Sequence, residues 1–378
     1  MKIACITTSV IPSSSANSIQ AMKVVHALKE LDQDVHLWLP EFQRGDWQEL
    51  ADVYGLRTPF PVDWLPFTRA FKQYDFSWNA VSQARRWGAD VIYTWSLQAA
   101  LFALQRGRPA VMEFHDFPMG KLGPRLFRGY IRHKNPRLTL CTTRALADGL
   151  EEQYGFTFKE NQLQIAPNGV ELERYQDLPA PEEARRQLGL NDGLTVGYSG
   201  HFYPGRGMDV LLALAQGLPQ VNFLWMGGRP EDIAPWREKL AQDGLHNVTI
   251  TGFIPNSRLP LYQAAADILL MPYNRSISGS SGGNIARVIN PMKMFDYLAS
   301  GRAIAASDIP VFHEVLSEKN VCFCEPEDGA DWVDKVGRLV QDEKLRARLG
   351  AQARQDAAQY TWKRRAQTSL DHLQKLLQ

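Results

Sequence analysis

Cysteine is scarce in this 378-residue chain, and Cys5, Cys141, Cys322 and Cys324 show no CxxC spacing, which argues against a zinc ribbon or a disulfide framework. A surplus of charge is lacking too. Forty-two lysines and arginines stand against 41 acids, so a net charge of +1 gives no reason to expect nucleic acid as a partner. No apolar run approaches the length that spans a bilayer. The opening MKIACITTSV is too short and too β-branched for a signal peptide and reads as a buried strand. These absences lead to the expectation of a cytoplasmic globular protein. With 44% apolar residues, the length suits two domains of ordinary size.

Strand and helix signals alternate throughout. KIACITT, a helix from about Ser18 and DVHLWLP form a first βαβ unit, with Ala21, Met22, Val24, Val25, Leu28 and Leu31 on one broad helical face. A helix around Trp78 to Trp87 leads to DVIYTW, and PAVMEF, LTLCTT, ALADGLEEQYG and LQIAP continue the alternation. This order implies a parallel sheet with helices on both faces. From Asn168 to Gly193 the chain turns polar and rich in Pro, Glu and Arg. A second alternating series then begins at LTVGYSG. The organisation expected is an α/β fold with two Rossmann-like domains, residues 1–170 and 191–360, whose parallel sheets face a central cleft. Residues 171–190 read as the linker, and 361–378 as a final helix packing back at the domain junction. Ligands of such sheets bind at the carboxyl ends of the strands, here the loops after Tyr198, Met226, Ile250 and Met271.

The segment NPMKMFDYLASG, Asn290 to Gly301, places a lysine in the first turn of a helix, where the backbone dipole favours acids. Asn290 reads as the N-cap, Pro291 as the first helical residue and Gly301 as the left-handed stop. Lys293 then lies beside exposed amides, a setting for an anion, and Asp296 on the same face suits neighbouring hydroxyl groups. A local Lys293 to Asp296 ion pair explains the same residues equally well.

Other loops point the same way. GHFYPGRG, Gly200 to Gly207, follows a strand and opens a helix, with Arg206 as its fixed cation. It matches neither the P-loop nor the dinucleotide fingerprint, so neither ATP nor nicotinamide is the expected ligand. The long loop from Pro272 to Pro291 is either mobile or functional, and Gly282, Gly283 and Asn284 could nest a phosphate. His115 and Asp116 lie just past a strand end, where either a structural or a catalytic histidine fits. KLGPRLFRGYIRHKNPR holds Lys121, Arg125, Arg128, Arg132, Lys134 and Arg137 with no acid. It reads as a solvated face, a site for an anionic acceptor, or a peripheral contact with an acidic membrane.

In order and spacing, VIPSSSANSIQAMKVVHAL, EFHD, IAPNGVELERY, SGHFYPGRGMDVLL, TGFIP, ADILLMPY and NPMKMFDYLASG resemble the retaining, nucleotide-sugar-dependent glycosyltransferases of family 4, which have the GT-B fold. The resemblance implies that the loop after the first C-terminal strand holds the donor diphosphate. Family members place an arginine after its glycine and a lysine before the next one, and here Gly200 is followed by His201, with Arg206 at the second position. The family's two glutamates, with seven residues between them, fall on Val288 and Asp296. NPMKMFDY is similar to a subgroup reading Ser-Pro-x-Lys-x-Phe-Glu-Tyr, in which Lys293 supplies the second cation. By the same resemblance Asp296 binds ribose hydroxyls, Phe253 and Ile254 contact the base, and His115 reaches the transferred sugar. Ser13, Ser14, Ser15 and Asn17 correspond to the loop that closes over donor and acceptor.

The function so implied is retaining transfer of a sugar from a UDP- or GDP-sugar to a carbohydrate or lipid-linked hydroxyl, with no metal and no cofactor besides the donor. Catalysis would rest on His115, Arg206 and Lys293. A nucleotide-sugar epimerase on the same fold and an inactive sugar-nucleotide-binding subunit are the alternatives.

Overall fold

Short apolar runs bounded by turns form parallel strands here because amphipathic helices can cover both faces of each sheet. The computed structural model describes residues 1–71, 73–277 and 283–377. Two compact units result, Met1–Asn168 with Trp362–Gln378, and Gly169–Thr361. Each carries its own sheet.

The strands of the first unit are β1 (Lys2–Ile6), β2 (Asp34–Pro40), β3 (Val62–Leu65), β4 (Val91–Thr94), β5 (Ala110–Phe114), β6 (Arg137–Cys141) and β7 (Leu163–Ile165). They stand in the order β3-β2-β1-β4-β5-β6-β7, all pairs parallel. The second unit has β8 (Thr195–Ser199), β9 (Asn222–Met226), β10 (Val248–Gly252), β11 (Ile268–Met271), β12 (Ala303–Ser307) and β13 (Cys322–Cys324). Their order is β10-β9-β8-β11-β12-β13, again parallel. Both are doubly wound, Rossmann-like sheets. In each the strand order reverses between that unit's first strand and its fourth, which opens a crevice beyond the carboxyl ends of β1 and β4, and of β8 and β11.

The helix read from about Ser18 spans Ala16–Glu30, and Ala21, Met22, Val24, Val25 and Leu28 are buried as expected. Gln20, Lys23 and His26 are buried as well. The helix packs against β2 on one side and against the final helix, Trp362–Leu377, on another, so its apolar stripe alone understates what it covers. That final helix belongs with the first unit although it ends the chain.

Residues 171–190, polar enough to read as a linker, fold within the second unit. They hold a 3-10 turn, Leu172–Tyr175, and a helix, Pro181–Leu188, opened by its proline and stopped by Gly189 in the left-handed conformation. Arg185 of this helix is buried because its guanidinium donates to the Ala265 carbonyl at 2.9 Å and to Asp267 at 3.0 Å. A charged residue that reads as surface thus spends its charge inside. The second unit's core gathers Tyr198, Phe223, Trp225, Leu270 and Trp332 on one flank of its sheet.

Candidate active site

Lys293 sits in the first turn of the helix Met292–Ser300. The cap residue is Pro291, with φ −75° and ψ 132°, and not Asn290 as the sequence suggests. An extended ψ at proline delays the helix by one residue, and the proline cap offers no side-chain acceptor to the first-turn amides. Gly301 ends the helix at φ 67°, as expected. Tyr297, one turn beyond the lysine, anchors the helix to the carboxyl end of β8, since its hydroxyl accepts from the Ser199 amide at 2.8 Å.

The ammonium of Lys293 lies over the Tyr198 ring at 4.1 Å from its centroid and 5.4 Å from that of Tyr273. The Arg206 guanidinium shares Tyr273 with it, 5.0 Å from that ring and 4.9 Å from Tyr203, and donates to the Tyr203 hydroxyl at 2.8 Å. Two cations therefore share the crevice between β8 and β11. Among the described residues neither is in an ion pair, and the alternative of a local Lys293 to Asp296 pair is not formed. Burial, and then the charge of Arg206, hold the Lys293 amine well below the ordinary lysine range. Asp296 instead faces the Tyr175 hydroxyl, which burial and that carboxylate push well above the usual tyrosine value. The Tyr175 hydroxyl also donates to Gln263 at 2.9 Å.

Glycine makes room for the lysine. A Cβ at Gly200 would come within 2.6 Å of the Lys293 Nζ and 2.9 Å of the Tyr198 hydroxyl. At Gly227, with φ 118°, a Cβ would lie 2.2 Å from the Gly200 carbonyl oxygen, which accepts from the Gly228 amide at 3.1 Å. His201, next in the loop, stacks on Tyr203 with centroids 5.1 Å apart. Burial and the nearby charges of Lys293, Arg206 and Arg229 lower its pKa, so the ring is neutral at pH 7. The loop is held from above by the Asn274 amide, which donates to the Gly205 carbonyl at 3.2 Å. Asn284 is a clasp here: its side-chain oxygen accepts from the amides of Ile277 and Ala286, at 2.9 and 3.0 Å. Gly283 has φ 83°, and Gly282 lies outside the described residues. Phe253, just beyond β10, is 60% exposed, and Ile254 beside it is half-buried.

In the first unit the chemistry centres on a carboxylate. Glu113 on β5 has a fully buried side chain and accepts from four donors, Gln20, Tyr93, His115 and Arg365. Arg365 comes from the final helix, 2.6 Å from Oε1, and also donates from Nε to the Pro167 carbonyl at 2.9 Å. Burial alone would raise this carboxyl, yet Arg365 and the bonds from His115 and Tyr93 hold it down at about 2. An ionised carboxylate only accepts, so the His115 Nε2, 2.7 Å away, carries the proton. Nδ1 is then the nitrogen left to meet a substrate, on a side chain 27% exposed.

The serine loop after β1 is occupied with its own turn. Ser15 caps the helix Ala16–Glu30 by accepting from the Ser18 amide at 3.3 Å, and Ser13 donates to the Val10 carbonyl at 2.7 Å. Ser14 and Asn17 are exposed. The basic segment forms the helix Gly123–Ile131, in which Phe127 and Tyr130 are buried core residues packing near Phe114. Its apolar residues thus face inward, while Met119, Leu122, Lys121 and Arg125 are exposed. One Asp-x-Asp spacing exists, Asp32-Gln33-Asp34, in the turn at the amino end of β2, the wrong end of the sheet for a ligand site. Among the described residues no group of three or more His, Cys, Asp or Glu could hold a metal, and no helix is long and apolar enough to cross a membrane.

Tyr198, Tyr203, Tyr273, Gly227 and the Glu113–Arg365 pair escaped sequence reasoning. A glutamate inside the apolar run AVMEF was the available signal, since a buried charge requires a partner. Nothing in the sequence ties that partner to residue 365.

The family model described as Glycosyltransferase Family 4 matches residues 18–174, and that of Glycosyl transferases group 1 matches residues 193–342. Phosphatidyl-myo-inositol mannosyltransferase of Mycolicibacterium smegmatis is 25% identical over 79% of this chain and 75% of its own. D-inositol 3-phosphate glycosyltransferase of Xylanimonas cellulosilytica is 26% identical over 61% of this chain and 55% of its own. The structure of Anabaena Alr3699/HepE in complex with UDP superposes with a TM-score of 0.76 at 18% identity, covering 99% of this chain and 100% of the other. Sucrose-phosphate synthase from Thermosynechococcus elongatus gives 0.77 at 19% identity, over 100% and 99%. These likenesses identify the two-unit fold as GT-B.

Proposed function

We propose that this chain, which belongs to the glycosyltransferases of group 1 and family 4, moves a sugar from a nucleoside diphosphate to an acceptor hydroxyl with retention of anomeric configuration. The observation that carries the reading is the pair of uncompensated cations, Lys293 and Arg206, flanking Tyr273 in the crevice of the second sheet. Such a site is unfavourable when empty and is relieved by an anion. A UDP- or GDP-sugar fits, and solved relatives of the same fold are described with UDP and UDP-glucose.

In this reading the bond between the anomeric carbon and the diphosphate oxygen breaks, and the electron pair leaves with the diphosphate. Arg206 supplies a permanent, planar charge to that group. Lys293 supplies a compact one, and the first-turn amides of its helix add their dipoles. The acceptor hydroxyl attacks on the face the diphosphate leaves and passes its proton to the departing phosphate. His115 orients the transferred sugar through Nδ1, with Glu113 fixing its tautomer. Asp296 accepts from ribose hydroxyls, Gly200 and His201 line the diphosphate, and Phe253 and Ile254 meet the base. NPMKMFDY supports placement in the lysine-bearing subgroup. The charge of the leaving group is carried by these side chains in place of a metal.

The acceptor is a carbohydrate or lipid-linked hydroxyl, and contact with an anionic bilayer through Lys121, Arg125, Arg128 and Arg132 suits the second. A relative named for phosphatidyl-myo-inositol is in keeping with it. Incubation with UDP- and GDP-sugars and a panel of acceptors tests the proposal: release of nucleoside diphosphate with an α-configured product from an α-linked donor is expected. Nucleotide binding without turnover in any pairing would favour an inactive binding subunit, and no binding at all would reject the donor site.

A further inference from the structure

Away from the strand ends that carry the site, at the amino end of β6, the first unit holds a cavity of about 250 Å³. Its walls come from sequence-distant pieces: the end of the helix Gly123–Ile131 with the start of β6, and the stretch from Tyr154 to Gln162. Four cations line it, Arg128, Arg132, Arg137 and Lys159, and no acidic residue does. Among the described residues Arg128, Arg132 and Lys159 have no ion-pair partner. Three aromatic rings, Tyr154, Phe156 and Phe158, complete the wall. A run that looks like ordinary basic surface in the sequence is, in the fold, one side of a concave site.

Two details separate this from a solvated charge cluster. The carboxyl end of a helix carries negative partial charge and repels anions. Here Arg137 cancels it, donating to the carbonyls of Ile131, the last helical residue, and of His133. Glu151, one turn before the wall segment, accepts from the Phe158 amide at 2.7 Å. The hydroxyl of Tyr154, meanwhile, is buried with no hydrogen-bond partner, an omission native proteins rarely tolerate without a ligand or water to satisfy it. The Arg128 guanidinium lies 5.5 Å from the ring of the same tyrosine, and both residues line the cavity.

We propose that this cavity binds the phosphate of a phosphorylated ligand of glycerol-phosphate size, held by Arg128, Arg132 and Lys159, with the Tyr154 hydroxyl donating to one oxygen. The site is separate from the donor crevice and does not rest on the transferase reading. At 250 Å³ it takes a single headgroup and not a nucleotide. The phosphate is either free or at the head of an anionic lipid.

The test titrates sn-glycerol 3-phosphate and inorganic phosphate by calorimetry into the full chain carrying Arg206→Ala and Lys293→Ala, so that the donor crevice does not compete. Arg132→Glu with Lys159→Glu, both exposed and without side-chain bonds, should weaken binding at least tenfold and leave the melting temperature and UDP binding of the otherwise native chain unchanged. Tyr154→Phe should weaken it several-fold. In a second arm, flotation with phosphatidylglycerol–phosphatidylcholine vesicles identifies the source. Vesicle binding that the double reversal abolishes and glycerol 3-phosphate displaces assigns a lipid headgroup, whereas soluble binding without flotation assigns a free phosphate. If neither soluble probe binds, or if the double reversal leaves their binding unchanged or Arg125→Glu outside the cavity weakens it as much, the cavity is no phosphate site and the proposal is overturned.

Discussion

A lysine in the first turn of a helix faces the positive end of the backbone dipole and is disfavoured there unless something negative arrives. Lys293 is doubly disfavoured, because the Arg206 guanidinium shares Tyr273 with it. Arg206→Ala and Lys293→Ala should each lower kcat at least tenfold, and by roughly 100- to 1000-fold where the donor supplies the full 3–4 kcal/mol, while the melting temperature holds. The depressed lysine pKa makes a sharper prediction. A bound diphosphate favours the charged amine and raises that pKa again, so nucleotide binding takes up a proton wherever the empty site has lost one. Affinity is then flat below the empty-site pKa and declines as pH rises above it. Calorimetry in two buffers of different ionisation enthalpy should detect the uptake in the native chain and none in Lys293→Met.

At the scale of elements, the final helix reaches into the first sheet to neutralise Glu113. Arg365→Met should destabilise the chain by about 3–5 kcal/mol, since it strands a buried carboxylate, and adding Glu113→Gln should recover part of that loss. Chemical denaturation of the two variants measures both. Because Glu113 titrates at about 2 in the fold and near the ordinary value of 4.5 when unfolded, its contribution is complete above 4.5 and fades as pH falls toward 2. Glu113→Gln should flatten that part of the stability profile. Gly200→Ala tests the other element junction: its methyl displaces the Lys293 amine, so nucleotide binding should weaken while the sheet remains folded.

How legible these elements were depended on whether their determinants are local. DVHLWLP delimits β2 to the residue, and Gly301 ends its helix in the left-handed conformation its sequence promised. The helix Pro181–Leu188 was hidden because Arg185 reads as surface until Asp267, far along the chain, is folded against it. Lys293 and Arg206 were legible as cations at strand-end loops, a positional rule. The tyrosines that hold them were not, since Tyr198 and Tyr273 look like strand-end core residues until β8 and β11 stand side by side.

For the molecule as a whole, two doubly wound sheets place one strand-order reversal in each unit, and in the second unit Lys293 and Arg206 stand at that reversal. The first unit is not a contiguous stretch of chain: Met1–Asn168 requires the last helix. Removing residues from 362 onward should therefore melt the first unit at a lower temperature than the second, visible as two transitions in calorimetry where the full chain is more cooperative. The central claim is that Lys293 and Arg206 form a diphosphate site, and titration of UDP and GDP into the native chain, Lys293→Ala and Arg206→Ala tests it most directly. The account predicts saturable binding of at least one nucleotide to the native chain, weakened at least tenfold in each variant. Equal binding by all three proteins, or by none, would contradict it.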